Sequence, residues 1–305
     1  MKKVFDYIYS FYNGYSKGSW LLIAVFMSVS VFLNYYFGIN GKIYAQSDFI
    51  SFLLFALMYG LHWFGAFFIL KTMNPLITIS LNKKTFLILG MSVLSFAFRA
   101  IADYHKPLID CFSTEGHYRL NQLIFNDLFR FLYLFVPVFV TWFLLDKKKM
   151  PLYGFSLKNH TFKLYFIMLA CMLPLIIGAS FLGDFLSYYP RFKTILSEAY
   201  SNVDIVLFEL FYGLDFVAIE LFFRGFLIIG LIKITGIHAI VPMASFYLSI
   251  HYGKPVGESI SSFFGGCLLG LMSFHTQSIV GGIMVHVGIA WMMELGATIG
   301  NWLKG

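Results

Sequence analysis

The sequence predicts an all-α polytopic membrane bundle of eight or nine transmembrane helices, and three observations carry that expectation. Hydrophobic residues fill 59% of the 305 positions and charged residues 12%, where a soluble domain carries about 25% charged. Mean hydropathy is +0.77. Apolar runs of membrane-spanning length recur along most of the chain, which a soluble α/β core of this size has no use for. The net charge of +7 does not mark a nucleic-acid partner, because the Lys and Arg residues lie between the apolar runs instead of along one amphipathic face. Cys111, Cys171 and Cys267 are far apart and match neither a disulfide framework nor a structural zinc spacing.

The first span is expected over Trp20–Phe37, preceded by MKKVFDYIYSFYNGYSKG and followed by no small-x-small cleavage site, so it reads as an uncleaved span. Further spans follow at Phe49–Leu70, Phe86–Phe98, Leu128–Leu145, Leu164–Leu182, Ile205–Ile232, His238–Ile250, Glu258–Phe274 and Ile279–Leu295. The third and seventh are short for a hydrocarbon layer of about 30 Å and read as re-entrant or strongly tilted pieces. Between Arg99 and Asn126 a polar segment of mixed charge reads as an external cap or an amphipathic helix on the membrane, with no chemistry assigned. Lys2, Lys3 and Lys17, then Lys71, Lys83 and Lys84, then Lys147, Lys148, Lys149 and Lys158 occupy alternate connections. These therefore share one side, and the positive-inside rule puts them, with the N-terminus, in the cytoplasm of a bacterial-type membrane. The chain divides into residues 1–150, the N-terminal helices with the external polar segment, and residues 151–305, a core that gathers the ionisable groups.

That core holds the stretch DFVAIELFFRGF, Asp215 to Phe226. Glu220 and Arg224 are one helical turn apart with the acid first, the favourable order for a pair, and a lone charge at membrane depth costs roughly 2.5–3.5 kcal/mol. A structural ion pair accounts for both residues with no reaction at all. Their company points further: Glu209 shares the face of Glu220, Asp215 that of Ile219, His251 ends the next span beside Lys254 and Glu258, and His286 lies inside the last span two turns before Glu294. Pro255 is placed to start the following helix. Singly, each has an ordinary role, as a packing histidine, a helix-end carboxylate or a snorkelling lysine; together they make a buried polar site. A Glu and a His can deprotonate a water for attack on a peptide carbonyl while a further polar group meets the oxyanion. Two histidines and a carboxylate also match an open zinc site, although the helical HExxH spacing is absent.

At these residues the chain resembles the CAAX-protease and bacteriocin-processing (CPBP, or Abi) intramembrane endopeptidases. That family has two adjacent glutamates, three residues and Arg-Gly; then an aromatic, three residues and His; then His, three residues and Asn or Asp. The corresponding stretches are IELFFRG at Ile219–Gly225, YLSIH at Tyr247–His251 and HVGIA at His286–Ala290, with the GF of Gly154-Phe155 approaching the core, so the likeness covers about the last 150 residues. In the family the first glutamate and the second-motif histidine activate water, and the last histidine and Asn stabilise the oxyanion. Ile219 and Ala290 replace two of those four groups.

The resemblance implies endopeptidase activity on a membrane-bound or lipidated peptide, with Glu220, His251 and His286 catalytic and Arg224, Asp215, Glu258 and Glu294 as supports or replacement acids. The expected partners are a membrane-embedded protein or lipidated peptide and membrane lipid, with no nucleic acid. No cofactor is required, and a divalent metal such as zinc on His251, His286 and a carboxylate is the alternative arrangement. A catalytically degenerate member that binds a partner without cleaving it is the second functional reading. A carrier relaying protons is the third, and the chain shows no paired broken spans of the transporter kind.

Overall fold

In the computed structural model, residues 2–75, 77, 83–113, 117–157, 162–195 and 200–304 are described, and they form an all-α bundle. An amphipathic helix α1 (Lys2–Asn13) precedes α2 (Lys17–Phe37), whose first turn is capped by Ser16 accepting from the Ser19 N–H. A left-handed Gly38 ends α2 and opens the short α3 (Ile39–Tyr44), after which come α4 (Asp48–Met73), α5 (Lys83–Ile101), α6 (Lys106–Phe112) and α7 (Tyr118–Leu145). The second half holds α8 (Phe162–Ala179), α9 (Gly183–Tyr188), α10 (Asn202–Glu220), α11 (Ile232–Thr235), α12 (Ile240–Ser249), α13 (Val256–Thr276) and α14 (Val280–Lys304). Ser201 and Asp204 start α10 with a reciprocal capping box.

Eight of these segments are long and apolar enough to cross a membrane, α11 and α12 counting as one from Ile232 to Ser249. The 19 residues of α10 continue into a π-helix of 9 residues, Leu221–Ile229, a ninth rod of spanning length. The third span is thus neither re-entrant nor short: it reaches back to Lys83 and forward to Ile101. The seventh is completed by the four residues of α11 and a 3-10 turn at Gly236–Ala239. The polar segment between Arg99 and Asn126 draws on three helices. Arg99 closes α5, Lys106–Phe112 form a short helix, and Tyr118 to Asn126 already belong to α7. At 28 residues, α7 is about 42 Å long and outreaches a hydrocarbon layer of about 30 Å, so its polar first turns project past the apolar zone. Residues 114–116 of that segment, and Lys158 of the basic set, lie outside the described residues.

Side-chain bonds tie the connections to two ends of the bundle. At the lysine-rich end Asn74 donates to Ser19, and Lys84 pairs with the buried Asp146 at 2.7 Å, joining the starts of α2 and α5 to the ends of α4 and α7. Burial raises the Asp146 carboxyl, but Lys84, Lys149 and the Tyr153 hydroxyl outweigh it and hold it below the usual carboxylate value. The loop that follows packs Tyr153 under the π-helix, and Gly154, at φ 85°, accepts from the Ile279 N–H. A side chain at Gly154 would strike Ile229 and would be strained at that φ. At the opposite end Asn34 donates to the Tyr252 carbonyl and Tyr35 to that of Lys254, joining the end of α2 to the turn after α12.

Candidate active site

One stripe of α10, namely Tyr212, Asp215, Phe216 and Ile219, faces a cavity of about 330 Å³. The spacings of three, four and seven residues are those of a single helix face. His251 and His286 line the same cavity, with Tyr247 between them. A volume of that size holds several water molecules, each with a share of about 30 Å³. The cavity lies toward the end opposite the lysine-rich connections, since its wall includes Asn40, Gly253 and Lys254.

The His251 Nδ1–H donates to the Tyr247 carbonyl at 2.8 Å. A carbonyl only accepts, so Nδ1 carries the proton and Nε2 of the neutral ring is an open acceptor. His286 is bound on both sides: its Nδ1–H donates to Glu220 Oε1 at 2.9 Å, and its Nε2 accepts from the Tyr247 hydroxyl at 3.0 Å. Carboxylate, imidazole and phenol thus form a chain that ends at the cavity wall. Arg224 Nη1 lies 2.9 Å from the same Glu220 oxygen and its guanidinium covers the Tyr247 ring at 4.5 Å. Glu220 and Arg224 are both fully buried, and a β-carbon on Gly282 would collide with Glu220 Oε2. Gly282 is what lets α14 approach the acid.

The sequence-derived residues therefore separate. Asp215, His251 and His286 meet at the cavity, and Asp215 is the sole carboxylate among its described lining residues. One Asp215 oxygen pairs with Arg99 at 2.5 Å, while the other has no hydrogen-bond partner among the described residues. Glu220 stands behind the wall, holding His286 instead of facing His251. Glu258 pairs with Lys254 at 2.6 Å and accepts from Tyr189. Glu294 accepts from the Arg191 backbone N–H at 2.7 Å, two turns past His286, and Glu209 is likewise outside the wall. Lys254 lines the cavity. Ile219, where the resemblance expects the first acid, is in the wall and 5% exposed; Ala290, where it expects Asn, packs with Tyr212 and Phe216 at 3%. Among the described residues no three His, Cys, Asp or Glu side chains converge as a metal-ligand group.

Several lining residues come from the half to which the sequence assigned no chemistry. Phe96 and Arg99 come from α5, Arg130 from α7, and Asn40 and Tyr44 from α3. Arg99 and Arg130 sit at span ends, where basic residues usually serve as interface anchors, and only their convergence on Asp215 and Asp127 sets them apart. Tyr247 was visible as the aromatic of a motif, but its hydroxyl bond to His286 was not.

Residues 202–292 match the family model described as type II CAAX prenyl endopeptidase Rce1-like. No curated protein and no solved structure matches the chain. The matched stretch runs from the start of α10 into α14 and contains Asp215, Glu220, Arg224, Tyr247, His251 and His286. The match falls on the helices that build the cavity, and over them this multi-span chain is similar to the type II CAAX prenyl endopeptidase family.

Proposed function

We propose that this chain is an intramembrane endopeptidase with a rearranged acid, hydrolysing a membrane-bound or lipidated peptide in the cavity of α10, α12 and α14. The observation that carries the reading is the shared wall: an acid with an unpartnered oxygen, Asp215, and a histidine with an open nitrogen, His251, border one cavity with room for water. Asp215 is one turn before Ile219 on the same stripe, so a carboxylate is recovered near where the family places its own. A water there gives its proton to His251 Nε2 as its oxygen attacks the scissile carbonyl, and Asp215 orients it. The tetrahedral oxyanion is met by the Tyr247 hydroxyl, which turns to it from His286 Nε2, while Glu220 holds the imidazole through its Nδ1–H. His251 then returns the proton to the leaving amine and the C–N bond breaks. Arg224 neutralises Glu220 and takes no part in the transfer.

The test is a search for new peptide termini in membranes of cells expressing the native protein, His251→Ala or Asp215→Asn at matched levels. Termini present with the native chain and missing with both variants support the reading. No difference, in a screen where a family member with the intact motifs gives signal, overturns it. A second reading, a member that binds without cleaving, rests on Ile219 in the cavity wall and on the tie of Asp215 to Arg99. It expects Ile219→Glu combined with Ala290→Asn to create cleavage that the native chain lacks.

The positive-inside rule adds an orientation to this reading: lysine-rich end in the cytoplasm, cavity toward the other face. Cys111, exposed on α6 near the cavity end, should then react with a membrane-impermeant maleimide in intact cells. Labelling only after lysis would reverse the orientation.

A further inference from the structure

The cavity wall carries more positive charge than the hydrolytic reading uses. Arg99, Arg130, Arg191 and Lys254 all line it, against the single lining acid Asp215. Their countercharges stand mostly behind: Asp127 is 3.3 Å from Arg191 and 3.9 Å from Arg130, and Glu258 is 2.6 Å from Lys254. One carboxylate is thus shared by two guanidinium groups. Arg99 spends one nitrogen on Asp215, while its Nε–H is buried with no acceptor among the described residues. Such a donor without a partner costs about 1–3 kcal/mol until an acceptor arrives. Tyr44, Tyr188 and Tyr212 add phenols to the same wall.

We infer that this cluster is a binding site for the phosphate of a lipid headgroup, separate from any cleavage. A carboxylate is satisfied by one guanidinium fork; several converging guanidinium and ammonium donors match a phosphate better. Position selects a lipid as its source. Arg99 is at the end of α5, Lys254 in the turn after α12, Arg191 after α9, and Arg130 near the start of the apolar part of α7. All four therefore sit near the level where headgroups lie, and basic pockets between spans at that level hold lipid phosphates. Below them Phe96, Phe216, Ile219 and Ile250 continue the wall as an apolar surface, suited to the first carbons of the lipid.

The test uses the purified full-length protein in zwitterionic detergent and measures binding of dioctanoyl phosphatidic acid. Dioctanoylglycerol, inorganic phosphate and a carboxylate-headed amphiphile of equal chain length are run in parallel. Phosphatidic acid should bind at least about tenfold more tightly than each of the other three. Arg130→Gln, at a half-exposed position where folding does not depend on the charge, and Arg99→Lys should each weaken it by about tenfold at unchanged helical circular dichroism. Lys106→Gln, an exposed cation of the same end outside the cavity, should leave binding unchanged. Equal binding of the phosphate-free lipid or of the carboxylate amphiphile overturns the inference, as does insensitivity to both arginine variants. Inorganic phosphate binding as tightly as the lipid overturns the assignment to a headgroup. Because no cleavage is measured, these outcomes stand whether or not the chain proves to be a peptidase.

Discussion

Two polar clusters share one helix and differ in their access to the cavity. Glu220 and Arg224, at the α-to-π junction, are 0% exposed and bound to each other and to His286. Less than two turns earlier, Asp215 pairs with Arg99 where the two side chains are 10% and 14% exposed, on the wall of a cavity. In the first cluster Glu220 Oε2 and the Arg224 nitrogens make no hydrogen bond among the described residues, yet the pair lies outside the cavity wall and no ligand can reach it. In the second, acceptors and donors are left over and a ligand can. A buried ion pair is thus a poor marker of chemistry by itself; the useful mark is a polar group that borders a cavity.

The comparison is broken most severely at the locked cluster. Glu220→Ala strands Arg224 in the bundle interior and should destabilise the protein by about 3–5 kcal/mol, read as loss of the folded fraction in thermal unfolding in detergent. The paired variant Glu220→Leu with Arg224→Met should recover most of that loss; if it is no better than the single variant, the pair is not what holds the junction. Gly282→Ala drives a methyl into Glu220 Oε2 and should cost about 1–3 kcal/mol by overpacking. Tyr247→Phe removes one hydrogen bond to His286, worth about 0.5–1.5 kcal/mol, and should reduce cleavage much more than it lowers the unfolding temperature. Equal effects on both would make the hydroxyl structural only.

Asp215→Asn sharpens the comparison from the other side. Arg99 is 14% exposed and the carboxamide oxygen still accepts from it, so the loss of stability should be smaller than the scale of about 3–5 kcal/mol for a truncated buried pair while peptide termini are lost. The smallest effect is expected at Asp146, at the lysine-rich end. Its folded carboxyl lies below the usual value of 3.8, so its contribution is complete above that pH and is lost as pH falls through the lower folded value. The difference in unfolding temperature between the native chain and Asp146→Asn should be constant from neutral pH down to about pH 5 and shrink toward pH 3. A difference that grows on acidification would contradict the assignment.

The membrane class, most spans and the candidates on α10, α12 and α14 were legible because they depend on local composition and on helical spacing. Span limits failed at both ends of the polar segment. There α7 runs through Tyr118 to Asn126, whose mixed polarity carries no apolar period. The π-helix at Leu221–Ile229 was also invisible in the sequence. Its wide turn brings Gly230 N–H to the Gly225 carbonyl, with Tyr153 packed alongside from a distant loop, and no local propensity encodes that arrangement.

Which residues must be shielded from lipid is a property of the chain alone: Asp215, Glu220, Arg224, His251 and His286 are costly at membrane depth and must turn inward wherever their helices pack. Which of them face one another, and which face a cavity, was decided by the packing of α14 against α10 and of α5 against α7 and the π-helix. Gly282 lets Glu220 reach His286, and Arg99 arrives beside Asp215 from 116 residues away. Helical periodicity fixes direction within one helix, but the relative depth and rotation of two helices follow from contacts between them, and those are long-range in sequence.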